Sequence, residues 1–386
     1  MTGSSVYPVP DSIRSRFVPA VNGLTVHCLE AGPADPDAPA VLLLHGFPEL
    51  AYSWRKVMPP LAEAGYRVIA PDFRGFGRTT GWSATWSSAA DLRPFRLLTA
   101  VRDQLGLLQA LGVRSVAAVV GHDFGAWVAP WCALVRPDVF RSLVVLSSPF
   151  AGPPALATAG TDPRADWPAR LAGLPRPRKH YQWYYSTPAA NDDMVRAPQG
   201  VHDFLRAYFH MKSADWAGNR PHPLADASAE QLAELPTYYV MDIGATMPET
   251  VAPEMPSAAE IATNTWLPDD ELAVYAAEYR RVGFGGGLQW YRRATTGLDQ
   301  AELELFSGRT VDVPTLYLAG ASDWGTHQVP GALETMRTTA CTNLVGTHLI
   351  DGAGHWAQQE QPETVTRHLL DFLADGDLNR EPSAPG

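Results

Sequence analysis

The chain has 386 residues, 46% of them hydrophobic and 18% charged, with a formal net charge of −11. That is enough for a large domain with an insertion or for two domains, and the composition is that of a soluble globular protein. The acidic balance excludes a polyanion such as nucleic acid as the expected partner, and no run of about 18 uncharged apolar residues argues for a membrane span.

Three cysteines (Cys28, Cys132 and Cys341) are far apart and odd in number. They support neither a disulfide framework nor a metal cluster. The opening residues, Met1 to Pro10, lack a basic region followed by an apolar stretch, so no signal peptide is expected and the expected compartment is the cytoplasm.

In chain order, Arg16-Phe-Val-Pro and Leu24-Thr-Val-His-Cys-Leu read as two short strands joined at Asn22-Gly23, a hairpin signal. Val41-Leu-Leu-Leu is a continuous apolar run, as expected of a strand covered on both faces. It ends in His45-Gly46-Phe47-Pro48-Glu49. A helix over Tyr52 to Ala64 follows, then a strand at Tyr66 to Ala70. The loop Asp72 to Gly77 contains Gly75-x-Gly77, which lacks the rest of a dinucleotide fingerprint and reads as a turn. A helix over Phe95 to Leu111 leads to a β-branched strand, Ser115 to Val120. Beyond the next helix, Ser142 to Leu146 is another apolar strand. Strands alternating with helices predict a mostly parallel sheet flanked by helices.

That alternation stops from Ala151 to about Arg309, a stretch rich in Trp, Tyr and Pro. Helices are expected there around Pro175 to Tyr185, Gly200 to Phe209, Pro268 to Arg281 and Gly287 to Thr295. Between them, Gly218 to Trp266 carries many prolines and is expected to include a long ordered loop. Sheet signals return at Thr315 to Ala319 and Leu344 to Ile350. A helix over Ala357 to Leu373 closes the pattern before a polar, Pro-containing tail expected to be disordered. The expected division is therefore an α/β core in two pieces, 1–150 and 310–386, around a helical cap at 151–309.

The chemistry-bearing stretch is Gly121-His122-Asp123-Phe124-Gly125, between the β-branched strand Ser115 to Val120 and its helix. Small residues at both ends permit a tight strand-to-helix turn that forces the apex residue out of the sheet. The apex is Asp123. A carboxylate there can attack a saturated carbon bearing a strained or good leaving group; the plainer reading is a cap on the following helix. A nucleophile would need a base, and His355 in Gly354-His355-Trp356 follows the last strand. The base would need an orienting carboxylate, and Asp323 directly follows Thr315 to Ala319. Singly, either is better read as an ordinary loop residue than as a catalyst. Together they place nucleophile, acid and histidine at the carboxyl ends of three expected strands. The Phe47 and Phe124 N–H groups can serve as an oxyanion hole. His122, His202, His210 and His348 lack metal-ligand spacing and are assigned structural or pocket-lining places.

These motifs resemble the soluble epoxide hydrolases of the α/β-hydrolase superfamily, over nearly the whole chain from about residue 15 to 375. Tyr181-Gln182-x-Tyr184 and Gly287-Leu288-Gln289-Trp290-Tyr291-Arg292 resemble the two cap segments that carry ring-opening tyrosines. The resemblance implies an α/β-hydrolase fold with a mostly parallel eight-stranded sheet and a helical cap. It implies Asp123 as nucleophile, His355 and Asp323 as base and acid, and Tyr181 and Tyr291 as donors to the oxirane oxygen. By residue type alone, buried cap tyrosines are better explained by packing. Phe47, Phe124, Gln182, Tyr184 and Trp356 are expected to contact an apolar, aromatic epoxide. No cofactor or metal is implied, and a homodimer stays open. The nearest alternative is a haloalkane or haloacid dehalogenase with the same Asp-His-Asp set; Phe47 and Phe124, however, have no side-chain N–H to hold a halide. A ligand-binding homologue without turnover is a further reading.

Overall fold

The apolar runs assemble into one eight-stranded sheet in a computed structural model that describes residues 7–35, 37–86, 89–156 and 166–374. In chain order the strands are β1 (Ile13–Val21), β2 (Leu24–Ala31), β3 (Ala40–Leu44), β4 (Arg67–Pro71), β5 (Ala118–His122) and β6 (Leu143–Leu146). After them come β7 (Arg178–His180), β8 (Val240–Asp242), β9 (Thr315–Gly320) and β10 (Leu344–Ile350). The main sheet has the order β1-β2-β4-β3-β5-β6-β9-β10, while β7 and β8 form a separate antiparallel pair. β1–β2 and β2–β4 are antiparallel and the remaining neighbours are parallel.

Every residue of β3, β5 and β6 is buried, which is why these strands read as unbroken apolar runs rather than alternating ones. Parallel strands share one carboxyl end, so the turns after β3, β5, β6, β9 and β10 gather at one edge of the sheet. The chain leaves the sheet after β6 and returns beside it at β9, with Leu143 opposite Thr315. The residues in between include the helices Tyr181–Tyr185, Gly200–Lys212, Asp269–Val282 and Gly285–Thr296.

Several expected elements differ from the observed ones for local reasons. The helix expected over Tyr52 to Ala64 is a 3-10 turn, Ala51–Trp54, followed by a helix Met58–Glu63. Pro59 and Pro60 lack N–H groups and fit only the first turn of that helix. The helix expected over Pro175 to Tyr185 is strand β7 followed by the short helix Tyr181–Tyr185. The loop expected over Gly218 to Trp266 contains strand β8 and three short helices, Ala229–Leu232, Met247–Val251 and Ala258–Thr263. The last helix is divided between Ala357–Glu360 and Pro362–Ala374, again at a proline. The tail expected to be disordered falls on residues 375–386, outside the described residues. No helix among the described residues is long and apolar enough to cross a membrane.

The turn between β5 and the helix Phe124–Val135 leaves no room for side chains on its flanks. A Cβ on Gly121 would lie 2.2 Å from the Gly125 carbonyl oxygen, and one on Gly125 would lie 2.2 Å from the Leu44 carbonyl oxygen. Both obstacles are backbone, so relief requires moving β3 or the helix. Gly125→Ala is expected to destabilise the fold by about 3 kcal/mol, the upper range for overpacking, measured by urea denaturation. A loss below about 0.5 kcal/mol would show that the turn relaxes without cost.

Candidate functional site

Asp123 is the residue at which β5 becomes a helix. Its backbone is held at φ 51 and ψ −109, a conformation that costs a non-glycine residue roughly 1–3 kcal/mol. The chain path thereby presents the carboxylate at the carboxyl edge of the sheet. Oδ1 accepts a hydrogen bond from the Phe47 N–H at 2.9 Å. The Phe124 amide begins the helix, so it has no acceptor within that helix. Of the two amides expected to form an oxyanion hole, that of Phe47, on the turn after β3, reaches the Asp123 carboxyl, and that of Phe124 opens the elbow helix next to it in sequence.

His355, in the turn after β10, completes one side of the site. Its Nε2 lies 3.2 Å from Asp123 Oδ2, without the alignment of a hydrogen bond. Its Nδ1 lies 3.1 Å from Asp323 Oδ1 and 3.1 Å from Ser147 Oγ. The Gly325 N–H donates to Asp323 Oδ1 at 2.7 Å. Burial would raise the Asp323 carboxyl, but the interactions with His355, Ser147 and the Gly325 amide outweigh it and bring it down to about 2. Asp123 is likewise held well below the usual carboxylate range: burial opposes the shift, while His355, Lys212 and His122 drive it. The site therefore carries two ionised carboxylates on either side of one imidazole.

A second buried pair fixes this arrangement from behind. His122 Nδ1 lies 2.6 Å from Glu49 Oε2, and its Nε2 lies 2.6 Å from the carbonyl oxygen of His355. Glu49 Oε2 also accepts the Gly46 N–H at 2.9 Å, and Oε1 accepts from Gln358 and Gln359 at 2.9 and 3.0 Å. One carboxylate thus ties the β3 turn to the His355 loop. Burial pushes His122 down, but the charge and hydrogen bond of Glu49 overcome it, so His122 lies above its ordinary value; Glu49 is correspondingly lowered despite its burial.

The opposite wall is aromatic. Tyr181 and Tyr291 are buried with ring centroids 5.8 Å apart, and Tyr291 packs edge-on against Phe47 at 5.4 Å and Trp127 at 5.9 Å. Both hydroxyls are raised well above 10, by burial first and then by the charge of Asp123. They therefore keep their protons at neutral pH. The Tyr181 hydroxyl lies 3.4 Å from Gln328 Oε1 and 3.3 Å from Gln182 Nε2.

The structure separates the other expected contact residues. Tyr184 turns away: its hydroxyl donates to Asp193 at 2.8 Å, and Lys179 sits over its ring. Tyr185 takes the place expected of it, 5.3 Å from Phe47 and 5.1 Å from Tyr291 between ring centroids. Trp356 supports the base rather than the aromatic wall. Its indole N–H donates to the Phe209 carbonyl, and its ring packs edge-on against His355 at 4.6 Å. Sequence reasoning gave no role to Glu49 or Ser147, although Glu49 closes the His45-Gly-Phe-Pro motif and Ser147 directly follows β6. Gln328 lies in a loop with no motif to single it out. Among the described residues no group of three or more His, Cys, Asp or Glu is placed to hold a metal ion.

Known proteins are similar to this chain over most of its length. A family model described as alpha/beta hydrolase fold matches residues 39–362. The chain is 34% identical over 361 residues to epoxide hydrolase A of Mycobacterium tuberculosis, covering 92% of this chain and 96% of that protein. It is 32% identical over 370 residues to epoxide hydrolase B of the same organism, covering 91% and 96%. A solved epoxide hydrolase from an endophytic Streptomyces superimposes with a TM-score of 0.74 at 29% identity, covering 94% of this chain and 96% of that one.

The Glu49–His122 pair carries a pH signature. The His122 part of its stability is complete below the unfolded value of 6.5 and is lost as pH rises through the higher folded value. The Glu49 part is complete above 4.5 and is lost as pH falls through the lower folded value. Glu49→Gln is therefore expected to cost most between pH 4.5 and 6.5, about 3 kcal/mol as for breaking a buried pair, and less at pH 9. Urea unfolding of both proteins across that range checks it; a pH-independent difference would mean the pair is not ionised.

Proposed function

We propose that this chain, which belongs to the epoxide hydrolases of the α/β-hydrolase fold family, converts an apolar epoxide to a vicinal diol through an ester on Asp123. The observation that carries the reading is the placement of the Asp123 carboxylate. One oxygen rests on the Phe47 amide and the other lies beside His355 Nε2, with two protonated tyrosines in the opposite wall. A serine at this apex would favour acyl transfer. A carboxylate favours displacement at a strained carbon.

Asp123 Oδ2 attacks an oxirane carbon, forming a C–O bond as the ring C–O bond breaks. The electron pair goes to the oxirane oxygen, which Tyr181 and Tyr291 receive as hydrogen-bond donors before a proton from solvent leaves it a hydroxyl. Such assistance is typically worth about 10²–10⁴-fold. His355, oriented by Asp323, then takes a proton from water, and the resulting hydroxide attacks the ester carbonyl. The Phe47 and Phe124 amides hold the oxyanion. Collapse breaks the acyl–oxygen bond, the departing diol oxygen takes the proton held by His355, and the Asp123 carboxyl gives the remaining water proton to solvent, which restores the carboxylate.

A cavity of about 500 Å³ supports an apolar, aromatic substrate. Trp127, Trp131, Phe150, Trp167, Leu97 and Leu303 line it, and Gln182 and Gln328 mark the end next to Tyr181. We place the enzyme in the cytoplasm, a reading supported by three buried free cysteines.

Two measurements test the reaction. His355→Gln is expected to allow ester formation but block hydrolysis, so intact mass should rise by one styrene oxide; turnover by the wild type with no adduct on the variant would favour direct attack of water. Tyr291→Phe and Tyr181→Phe remove one donor each at nearly constant volume. Each is expected to slow single-turnover ester formation by about one to three orders of magnitude, about 1.4 kcal/mol per tenfold. Unchanged rates in both single variants and in the double variant would move the donor role to other residues.

A further inference from the structure

Lys212 ends the cap helix Gly200–Lys212 and is buried, with a relative exposure of 3%. Among the described residues no carboxylate lies within 4.0 Å of its ammonium, and the ammonium donates no hydrogen bond. Rings surround it instead. Nζ lies 5.0 Å from the ring centroid of Tyr239, 5.4 Å from those of Tyr208 and Trp356, and 5.7 Å from that of Tyr238. Ring faces attract a cation but do not neutralise it. A buried charge with no ion partner is costly to a fold, so its placement calls for a compensating use.

The cage is rigid and sits at the reaction site. The Lys212 carbonyl accepts the His355 N–H at 2.8 Å. Glu360 Oε2 accepts from Ala214 and Gly354, and its Oε1 accepts from Trp356, stitching the end of the cap helix to the His355 loop. Asn219 receives the Tyr238 hydroxyl and donates to the carbonyls of Met211 and Ser213. The Tyr239 carbonyl accepts the Tyr181 N–H at 2.8 Å, while the buried Tyr239 hydroxyl has no hydrogen-bond partner among the described residues. The charged and titratable groups around this cluster are Asp123 and His122 of the elbow, His355, Asp323, Glu49, the tyrosines 181, 208, 238 and 239, and Glu360, whose carboxyl burial pushes up to about 8. Lys212 is the one lysine or arginine whose charge acts on Asp123 among the leading causes of that residue's shift.

We propose that Lys212 is a positioning residue whose fixed ammonium offsets the Asp123 carboxylate before attack and, once that charge is consumed in the ester, favours neutral His355 and an electrophilic ester carbonyl. The inference rests on the ester pathway above. Alkylation converts an anionic Asp123 to a neutral ester, while the ammonium, held by rings, does not move. The site's field therefore becomes more positive at the step that needs an unprotonated base and forms an oxyanion on the ester. An ordinary salt bridge would screen the cation throughout the cycle.

The test is stopped-flow single turnover of styrene oxide by the full chain between pH 5 and 9, resolving ester formation from ester breakdown. In Lys212→Met, loss of the cation stabilises protonated forms in the site. The acid limb of breakdown is expected to move up by about one pH unit, the lower range for a nearby charge, with breakdown on that limb slowed by up to about tenfold. Lys212→Arg keeps the charge and should keep the limb. Lys212→Gln replaces the Met variant if circular dichroism shows the latter unfolded. An acid limb unmoved by charge removal, or moved as far by Arg as by Met, overturns the proposal. Failure of the wild type to form any ester is a separate outcome: it removes the pathway beneath the proposal and overturns both.

Discussion

The carboxylate of Asp123 is where it is because a non-glycine residue adopts φ 51 between a buried strand and a helix. The rest of the site depends on that turn. The turn is possible because Gly121 and Gly125 let backbones approach to distances that a Cβ forbids. It is held because the Phe47 amide reaches across from the β3 turn to Oδ1. Strain at the apex is thus offset by burial of β3 and β5 on both faces, and the strands supply the rigidity that a reactive carboxylate needs.

Buried charge is then arranged in two layers. At the elbow, Asp123 and Asp323 flank His355, and Lys212 supplies a cation without touching either carboxylate. Behind them, Glu49 and His122 make contacts at normal hydrogen-bond length and tie the β3 turn, the elbow and the His355 loop together. The two layers differ in what happens to their charges. The rear pair can stay ionised throughout a cycle, whereas Asp123 would give up its charge in the proposed ester. A site built this way keeps its geometry while its electrostatics change.

Much of this was legible before the structure, and the misses share a cause. Apolar runs mark the core strands because burial on both faces leaves no alternation to blur them. Asp123 and Asp323 could be picked out because each closely follows such a strand, and His355 because it follows the last strand, β10, at the sheet edge; the structure brings the three together. The region between β6 and β9 was harder. Strand β7 pairs with β8 some 60 residues away, and no local periodicity encodes a partner at that distance. The short helices at Met247–Val251 and Ala258–Thr263 were nevertheless encoded, in the capping boxes Thr246/Glu249 and Ser257/Glu260. Tyr184 and Tyr185 are adjacent in sequence, and only the tertiary packing decides which of them faces Phe47. Lys212 had no motif at all, since its significance lies in four rings drawn from three parts of the chain.

The central claim is that Asp123, not water, forms the new bond to carbon. A single turnover of excess enzyme with styrene oxide in water enriched in heavy oxygen decides it. If the ester forms and is cleaved at its acyl–oxygen bond, the first diol carries an Asp123 oxygen and is unlabelled, and the heavy isotope appears in the peptide containing Asp123. A first-turnover diol that carries the label, with an unlabelled Asp123 peptide, would contradict the account.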